Sequence, residues 1–176
     1  DADTGATLDG AQVRILKSGF KAKTKKNGQY TLPYAPGNFT VAIEMAGYLP
    51  QGVTLSLSGK SKYPMEDIRL SRFPAIVDMY LQPIEGAEVR IQSHDELSGK
   101  GPVLATARTD AAGRFLLEYV PGAVRVTATG EGFGETSLVL DLDRVSKLER
   151  NQWVLPPGKA GLYFQGRALE RRQFEF

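Results

Sequence analysis

The fold is decided by a stretch that occurs twice, first as Gly10-Ala11-Gln12-Val13-Arg14-Ile15 and again as Gly86-Ala87-Glu88-Val89-Arg90-Ile91. After each Gly-Ala pair, polar and apolar residues alternate, a period typical of a half-buried β-strand. Three later matches keep the same order: Asn27-Gly28-Gln29-Tyr30-Thr31-Leu32 with Ala112-Gly113-Arg114-Phe115-Leu116-Leu117, Pro36-Gly37 with Pro121-Gly122, and Gly47-Tyr48 with Gly132-Phe133. The chain is therefore predicted to contain an internal repeat, and the second copy is longer around Ser93–Pro102.

The repeated motifs resemble those of a known family. Asp-x-x-Thr-Gly at Asp1–Gly5 is followed by Asn-Gly-x-Tyr-x-Leu from Asn27, by Pro-Gly-x-Phe-x-Val from Pro36 and by Gly47-Tyr48. This order is similar to that of the carboxypeptidase regulatory-like, or transthyretin-like, domain. The resemblance implies an all-β fold of two tandem antiparallel Greek-key β-sandwich domains. Domains of this family usually begin with a strand before the Thr-Gly turn; copy one starts at the turn, and Ala75–Asp78 can supply that strand in copy two.

The domain organisation follows from the repeat. We expect one β-sandwich over residues 1–73 and a second over 74–156, followed by residues 157–176 as an extended tail or the start of a truncated third domain. Frequent Gly and Pro turn signals between short strands are consistent with this division. The window Asp141–Trp153 is the one place with helical spacing, and the pattern leaves a helical turn or no helix equally open there.

Composition excludes several classes of function. The 176 residues contain no cysteine and one histidine, which rules out a cysteine nucleophile, a thiolate zinc site and any site with two histidines. No Gly-x-Ser-x-Gly elbow is present either. We therefore expect no enzyme activity, cofactor or metal. His94-Asp95-Glu96 mixes imidazole and carboxylates, but adjacent residues on an extended segment point apart, so a solvated loop is the favoured interpretation.

Charge is distributed unevenly along the chain. The net charge is +2, which is too small to predict nucleic-acid binding, and no run of apolar residues is long enough to cross a bilayer. Residues 1–74 carry ten basic and six acidic side chains, whereas residues 75–176 carry twelve and fourteen. The basic excess therefore belongs to the first half.

A stripe of lysines is the clearest surface feature of that half. Lys21, Lys23 and Lys25 alternate, with Lys26 beside them, so a strand would project three ammonium groups from one face. Lysines on an edge strand protect it from aggregation. They would equally suit an anionic partner. Both interpretations stay open, and the four residues form a candidate anionic-partner surface.

Two aromatic features near the end of the chain are further candidates. Trp153 is the sole tryptophan; within a terminal strand Asn-Gln-Trp-Val-Leu it is expected to pack in the core, although an exposed ring would suit a glycan. The tail alternates charged and apolar residues and could add a strand to a sheet edge. Its candidate docking residues are Leu162, Tyr163, Phe164, Phe174 and Phe176.

These observations favour a non-catalytic structural or protein-interaction module of a larger cell-envelope or secreted assembly, with a protein partner or self-assembly as the expected contact. An extracytoplasmic location is expected. Two alternatives remain, a glycan-binding accessory module of an enzyme or adhesin and a regulatory domain of a peptidase, as the family name implies. Related adhesin domains form Lys–Asn crosslinks beside a buried acid; Glu44 resembles that acid, but no lysine precedes Lys17, so no crosslink is expected.

Overall fold

The computed structural model describes residues 1–34, 36–59, 65–94, 101–145, 147–148 and 152–158. Within these ranges the chain forms ten β-strands and no helix. The strands are β1 (Gln12–Ile15), β2 (Lys21–Lys23), β3 (Gly37–Glu44), β4 (Gln51–Leu57), β5 (Ala75–Val77), β6 (Glu88–Ser93), β7 (Val103–Arg108), β8 (Ala123–Thr129), β9 (Thr136–Asp141) and β10 (Gln152–Val154). The all-β prediction is confirmed. In the described part of Asp141–Trp153, strand ends and a turn take the place of a helix.

The strands pair into three sheets. The first has the order β2-β1-β3-β4, and every pair in it is antiparallel. Another four-stranded sheet has the order β7-β6-β8-β9, in which β6 and β7 are antiparallel. A small sheet pairs β5 with β10 in parallel. The strand that Ala75–Asp78 was expected to supply in copy two is therefore present as β5.

Contacts divide the chain into two compact units. Unit 1 contains Asp1–Pro74, Leu116–Val124 and the described residues from 140 to 148. Unit 2 contains Ala75–Phe115, Arg125–Val139 and residues 152–158. The domain boundaries expected from the repeat, 1–73, 74–156 and 157–176, stay predictions.

The core of unit 1 forms on the inner face of β1 and β3. Its buried members are Val13, Ile15, Val41, Ile43 and Leu70. On both strands these residues alternate with residues of the opposite face, where Ala42 and Glu44 of β3 are buried as well. Tyr30 of the repeated motif is half-buried and packs against this cluster. Removing such side chains from water contributes about 1.5 to 3 kcal/mol each.

The core of unit 2 includes the sole tryptophan. Trp153 is only 6% exposed, and its ring lies 6.5 Å from that of Phe115 between centroids. Its Nε1 donates to Thr136 Oγ1. Trp153 was predicted to pack in the core, and the structure confirms this.

One hydrogen-bond motif is the same in both copies. Thr24 Oγ1 accepts from the backbone N–H of Ala11 and donates to the carbonyl of Leu8, at 2.9 and 2.6 Å. In the second copy, Thr109 makes the equivalent pair of bonds to Ala87 and Ile84 at the same distances. The hydroxyl satisfies a buried donor and acceptor beside the Gly-Ala pair in each case.

Candidate interaction surfaces

The predicted lysine stripe lies at a sheet edge. Lys21 and Lys23 are exposed on β2, the outermost strand of the first sheet. Ala22 between them pairs with the fully buried Val13, so the two lysines point to the face opposite the core. Lys25 and Lys26 are exposed in the following turn.

Among the residues that the structure describes, none of these four lysines forms an ion pair within 4.0 Å. The edge position fits protection from aggregation and recognition of an anion alike. The assignment as an anionic-partner surface therefore stays a prediction.

A buried carboxylate on the same face of the sheet has its hydrogen-bond partners within unit 1. Glu44 is 1% exposed, and its Oε1 accepts from Arg14 Nε at 2.9 Å and from Arg14 Nη2 at 2.7 Å. The same oxygen accepts from the backbone N–H of Tyr119 at 2.8 Å. Arg14 Nη2 in turn donates to the carbonyl of Tyr119 at 2.9 Å. We call these three residues the Arg14–Glu44–Tyr119 network.

Tyr119 is also held at its other end. Its hydroxyl donates to Asp143 Oδ1, and Asp143 Oδ2 accepts from the backbone N–H of Gly122 at 2.9 Å. Burial of the ring and the adjacent Asp143 carboxylate raise the pKa of Tyr119 to about 12. A Cβ atom at Gly52 would overlap the phenol ring, so only glycine leaves room for Tyr119 on β4.

The charged groups of the network have a structural role. The hydrogen bond to Glu44 raises the pKa of the Arg14 guanidinium. Arg14 and Glu44 both form hydrogen bonds with the backbone of Tyr119, which is far away from them in sequence. From the sequence, Glu44 resembled only the acid of a crosslink, whereas in the structure it pairs with Arg14. A signal for this pair was available, because Glu44 ends an apolar strand where an unpaired charge would be costly.

The remaining candidates are placed as follows. His94 is half-buried, whereas Asp95, Glu96 and the five docking residues of the tail lie outside the described residues. The described ranges contain no group of three or more residues that could hold a metal ion. They also contain no helix of the length and hydrophobicity needed to cross a membrane.

Comparison with known proteins relates the first copy to a protein family. Residues 1–71 match the family of the carboxypeptidase regulatory-like domain. The resemblance predicted for the first copy is thus confirmed over these residues. For the second copy, the assignment continues to depend on the repeat.

Two individual proteins are similar over most of the chain. Bacillopeptidase F of Bacillus subtilis is 25% identical over 158 residues, which cover 85% of this chain and 10% of that protein. This chain thus spans about a tenth of the length of that relative. Among solved structures, the Bacillus anthracis TIE protein is 16% identical and covers 88% of this chain and 31% of its own, with a TM-score of 0.35.

Proposed function

We propose that this chain is a non-catalytic accessory module of a larger protein, which binds protein partners outside the cytoplasm. One observation carries the proposal: residues 1–71 match the family of the carboxypeptidase regulatory-like domain. Within these residues, the ion pair of Arg14 with the buried Glu44 holds a distant backbone segment in place. Polar networks of this kind specify a unique structure when every partner is satisfied.

The lysine stripe is the surface through which we propose that the module recognises an acidic protein segment. Side chains on one face of a strand repeat at roughly 7 Å, which matches alternate residues of an extended peptide. Arg14 lies on the same face, opposite Lys21 in the register, but its charge is compensated by Glu44. The uncompensated positive charge is therefore concentrated at the edge strand.

The test is a fluorescence-anisotropy titration with a labelled poly-glutamate peptide. Replacing Lys21, Lys23 and Lys25 together by Gln should weaken binding by roughly tenfold, because three exposed ion pairs at about 0.5 kcal/mol each sum to about 1.5 kcal/mol, and about 1.4 kcal/mol is tenfold. The effect should shrink as the salt concentration rises, since exposed charges are screened.

A charge-matched control separates the site from a general loss of charge. Arg69, Arg144 and Lys147 are exposed residues of the same unit, and their replacement by Gln should leave binding within about twofold. Equal loss in both triple variants would contradict a specific surface. Unchanged binding in the lysine variant, together with its aggregation, would mean that the stripe only protects the edge.

A regulatory role in a peptidase is the second candidate, favoured by the family description and by the similarity to Bacillopeptidase F. If the parent protein carries a peptidase domain, deletion of this module should raise KM for a folded protein substrate and leave hydrolysis of a short peptide unchanged. Equal effects on both substrates would count against this role. The glycan alternative has less support, because Trp153 is buried and offers no platform.

The tail is proposed as a further contact. Its apolar residues Leu162, Tyr163, Phe164, Phe174 and Phe176 could dock on a neighbouring sheet edge. A chain that ends at Gly158 should keep its thermal unfolding temperature and lose any binding to which the tail contributes. Loss of thermal stability on truncation would instead mean that the tail is part of the fold.

A further inference from the structure

Three consecutive large apolar side chains project from a turn after β5. Met79 is 57% exposed, Tyr80 75% and Leu81 52%. Exposed apolar residues scattered singly are ordinary, whereas a cluster of this kind marks an interaction site. We call these three residues the apolar turn.

The apolar turn is held in a defined shape. The Asp78 side chain accepts from the backbone N–H groups of Tyr80 and Gln82, at 2.8 and 2.9 Å. The carbonyl of Asp78 accepts from Leu81 N–H at 3.0 Å, and its own N–H donates to Gln82. Leu81 has a φ of 64°, a left-handed conformation that strains a residue with a large side chain. Such strain is concentrated at functional sites.

The first copy shows that the fold does not require apolar residues here. The corresponding turn contains Asp3, Thr4 and Gly5, and Asp1 Oδ1 accepts from the first two backbone N–H groups. Gly5 takes the left-handed conformation, with a φ of 71°. The turn before β1 thus has the same backbone conformation with polar residues and a glycine. The exposed apolar residues and the strained φ of Leu81 therefore need another explanation. Docking of the apolar turn onto a partner surface explains both.

An apolar groove that could receive this turn lies on unit 1. It has a volume of about 200 Å³ and is lined by Ile15, Phe20, Tyr34, Pro36 and Phe39, with Lys17 at its side. Small-molecule sites usually have roughly 300 to 1,000 Å³, so the groove suits one or two side chains better than a ligand. Phe20 is 46% exposed and widens the apolar surface.

We propose that the apolar turn of one copy docks into the Phe20–Phe39 groove of a second copy. The charges beside the two surfaces are opposite in sign, which favours their association. Lys17 lines the groove, and the exposed Glu85 follows the apolar turn in sequence. Because the two surfaces differ, the contact is head-to-tail and extends into open chains unless it closes into a ring. The inference deepens the proposed function by naming a partner.

The test is sedimentation velocity of the full chain over a range of concentrations, with variants on each side. Tyr80→Ser removes the centre of the turn, and Phe20→Ser removes the rim of the groove. Each should weaken self-association at least tenfold. Val103→Ser, at a residue of similar exposure on β7, should leave it unchanged.

Mixing the two variants gives the sharpest result. The intact turn of the Phe20→Ser chain can dock into the intact groove of the Tyr80→Ser chain, while each chain lacks its other contact surface. An equimolar mixture should therefore form dimers, whereas each variant alone stays monomeric. Leu81→Gly should also weaken association without lowering the unfolding temperature, because glycine relieves the strained φ.

Three results would overturn the inference: a native chain that is monomeric at every concentration, association that neither variant reduces, or a mixture that does not dimerise although both variants are folded by circular dichroism. A monomer that still binds poly-glutamate through the lysine stripe would leave the proposed function standing. Association through the turn with no binding of poly-glutamate would overturn the lysine surface alone.

Discussion

Replacing Glu44 by Gln should destabilise the protein strongly for a single isosteric change. The substitution keeps the shape of the side chain and removes the charge that Arg14 faces at 2.7 to 2.9 Å. The oxygen of the new amide can keep the bonds that Oε1 accepts from Arg14 and from the Tyr119 N–H, but the NH2 group then replaces Oε2 and faces the Arg14 Nε donor. One buried donor is thereby left without a partner.

The magnitude follows from the environment of each group. Removing one partner of a buried ion pair costs about 3 to 5 kcal/mol when both are buried. Glu44 is buried, but the Arg14 side chain is 32% exposed and can regain water, so we expect a loss of about 2 to 3 kcal/mol. For a chain of this size, that lowers Tm by roughly 5 to 10 °C.

Urea unfolding followed by far-UV circular dichroism measures this loss, with Arg144→Gln as the control. Arg144 pairs with Asp141, but its side chain is 87% exposed, so its removal should cost less than about 1 kcal/mol. A double-mutant cycle with Arg14→Gln should give a coupling energy of about 1 to 2 kcal/mol. The reasoning is refuted if Glu44→Gln costs less than about 1 kcal/mol, or if the two substitutions are additive.

Three further outcomes are expected. Stability should fall by about 2 to 3 kcal/mol between pH 10 and pH 12, because the raised pKa of Tyr119 favours the protonated phenol in the folded state, and urea unfolding of Tyr119→Phe should lack this fall. Gly113→Ala should lower Tm more than Gly28→Ala, since both have a positive φ but only at Gly113 would a Cβ overlap the backbone of β5. Thr24→Val and Thr109→Val should each cost about 1 to 3 kcal/mol in urea unfolding, and a neutral result at one site would show that the two motifs are not energetically equivalent.

Much of the fold was predictable because its signals are local. Alternation of apolar and polar residues predicts β1 and β6, and glycines mark turns where a positive φ occurs, as at Gly28 and Gly113. The lysine edge was predictable as well, since Lys21 and Lys23 alternate within a short strand. Trp153 was correctly expected in the core from the apolar residues around it.

The candidate sites were less predictable, because they depend on contacts far apart in sequence. Arg14 and Glu44 are separated by 30 residues, and Arg14 and Tyr119 by 105. No local pattern specifies which charge meets which backbone group. The apolar turn was missed because Met79, Tyr80 and Leu81 read as ordinary apolar residues, and only burial distinguishes a core residue from an exposed one.

The sequence by itself determined the internal repeat, the all-β class and the resemblance of residues 1–71 to the carboxypeptidase regulatory-like domain, because period-two alternation, turn residues and motif order are written along the chain. The tertiary structure alone decided which polar groups are paired and which apolar groups stay in water. It assigned Glu44 to Arg14 and left the apolar turn exposed. The physical reason is that pairing and burial belong to neighbours in space, and the sequence lists only neighbours along the chain.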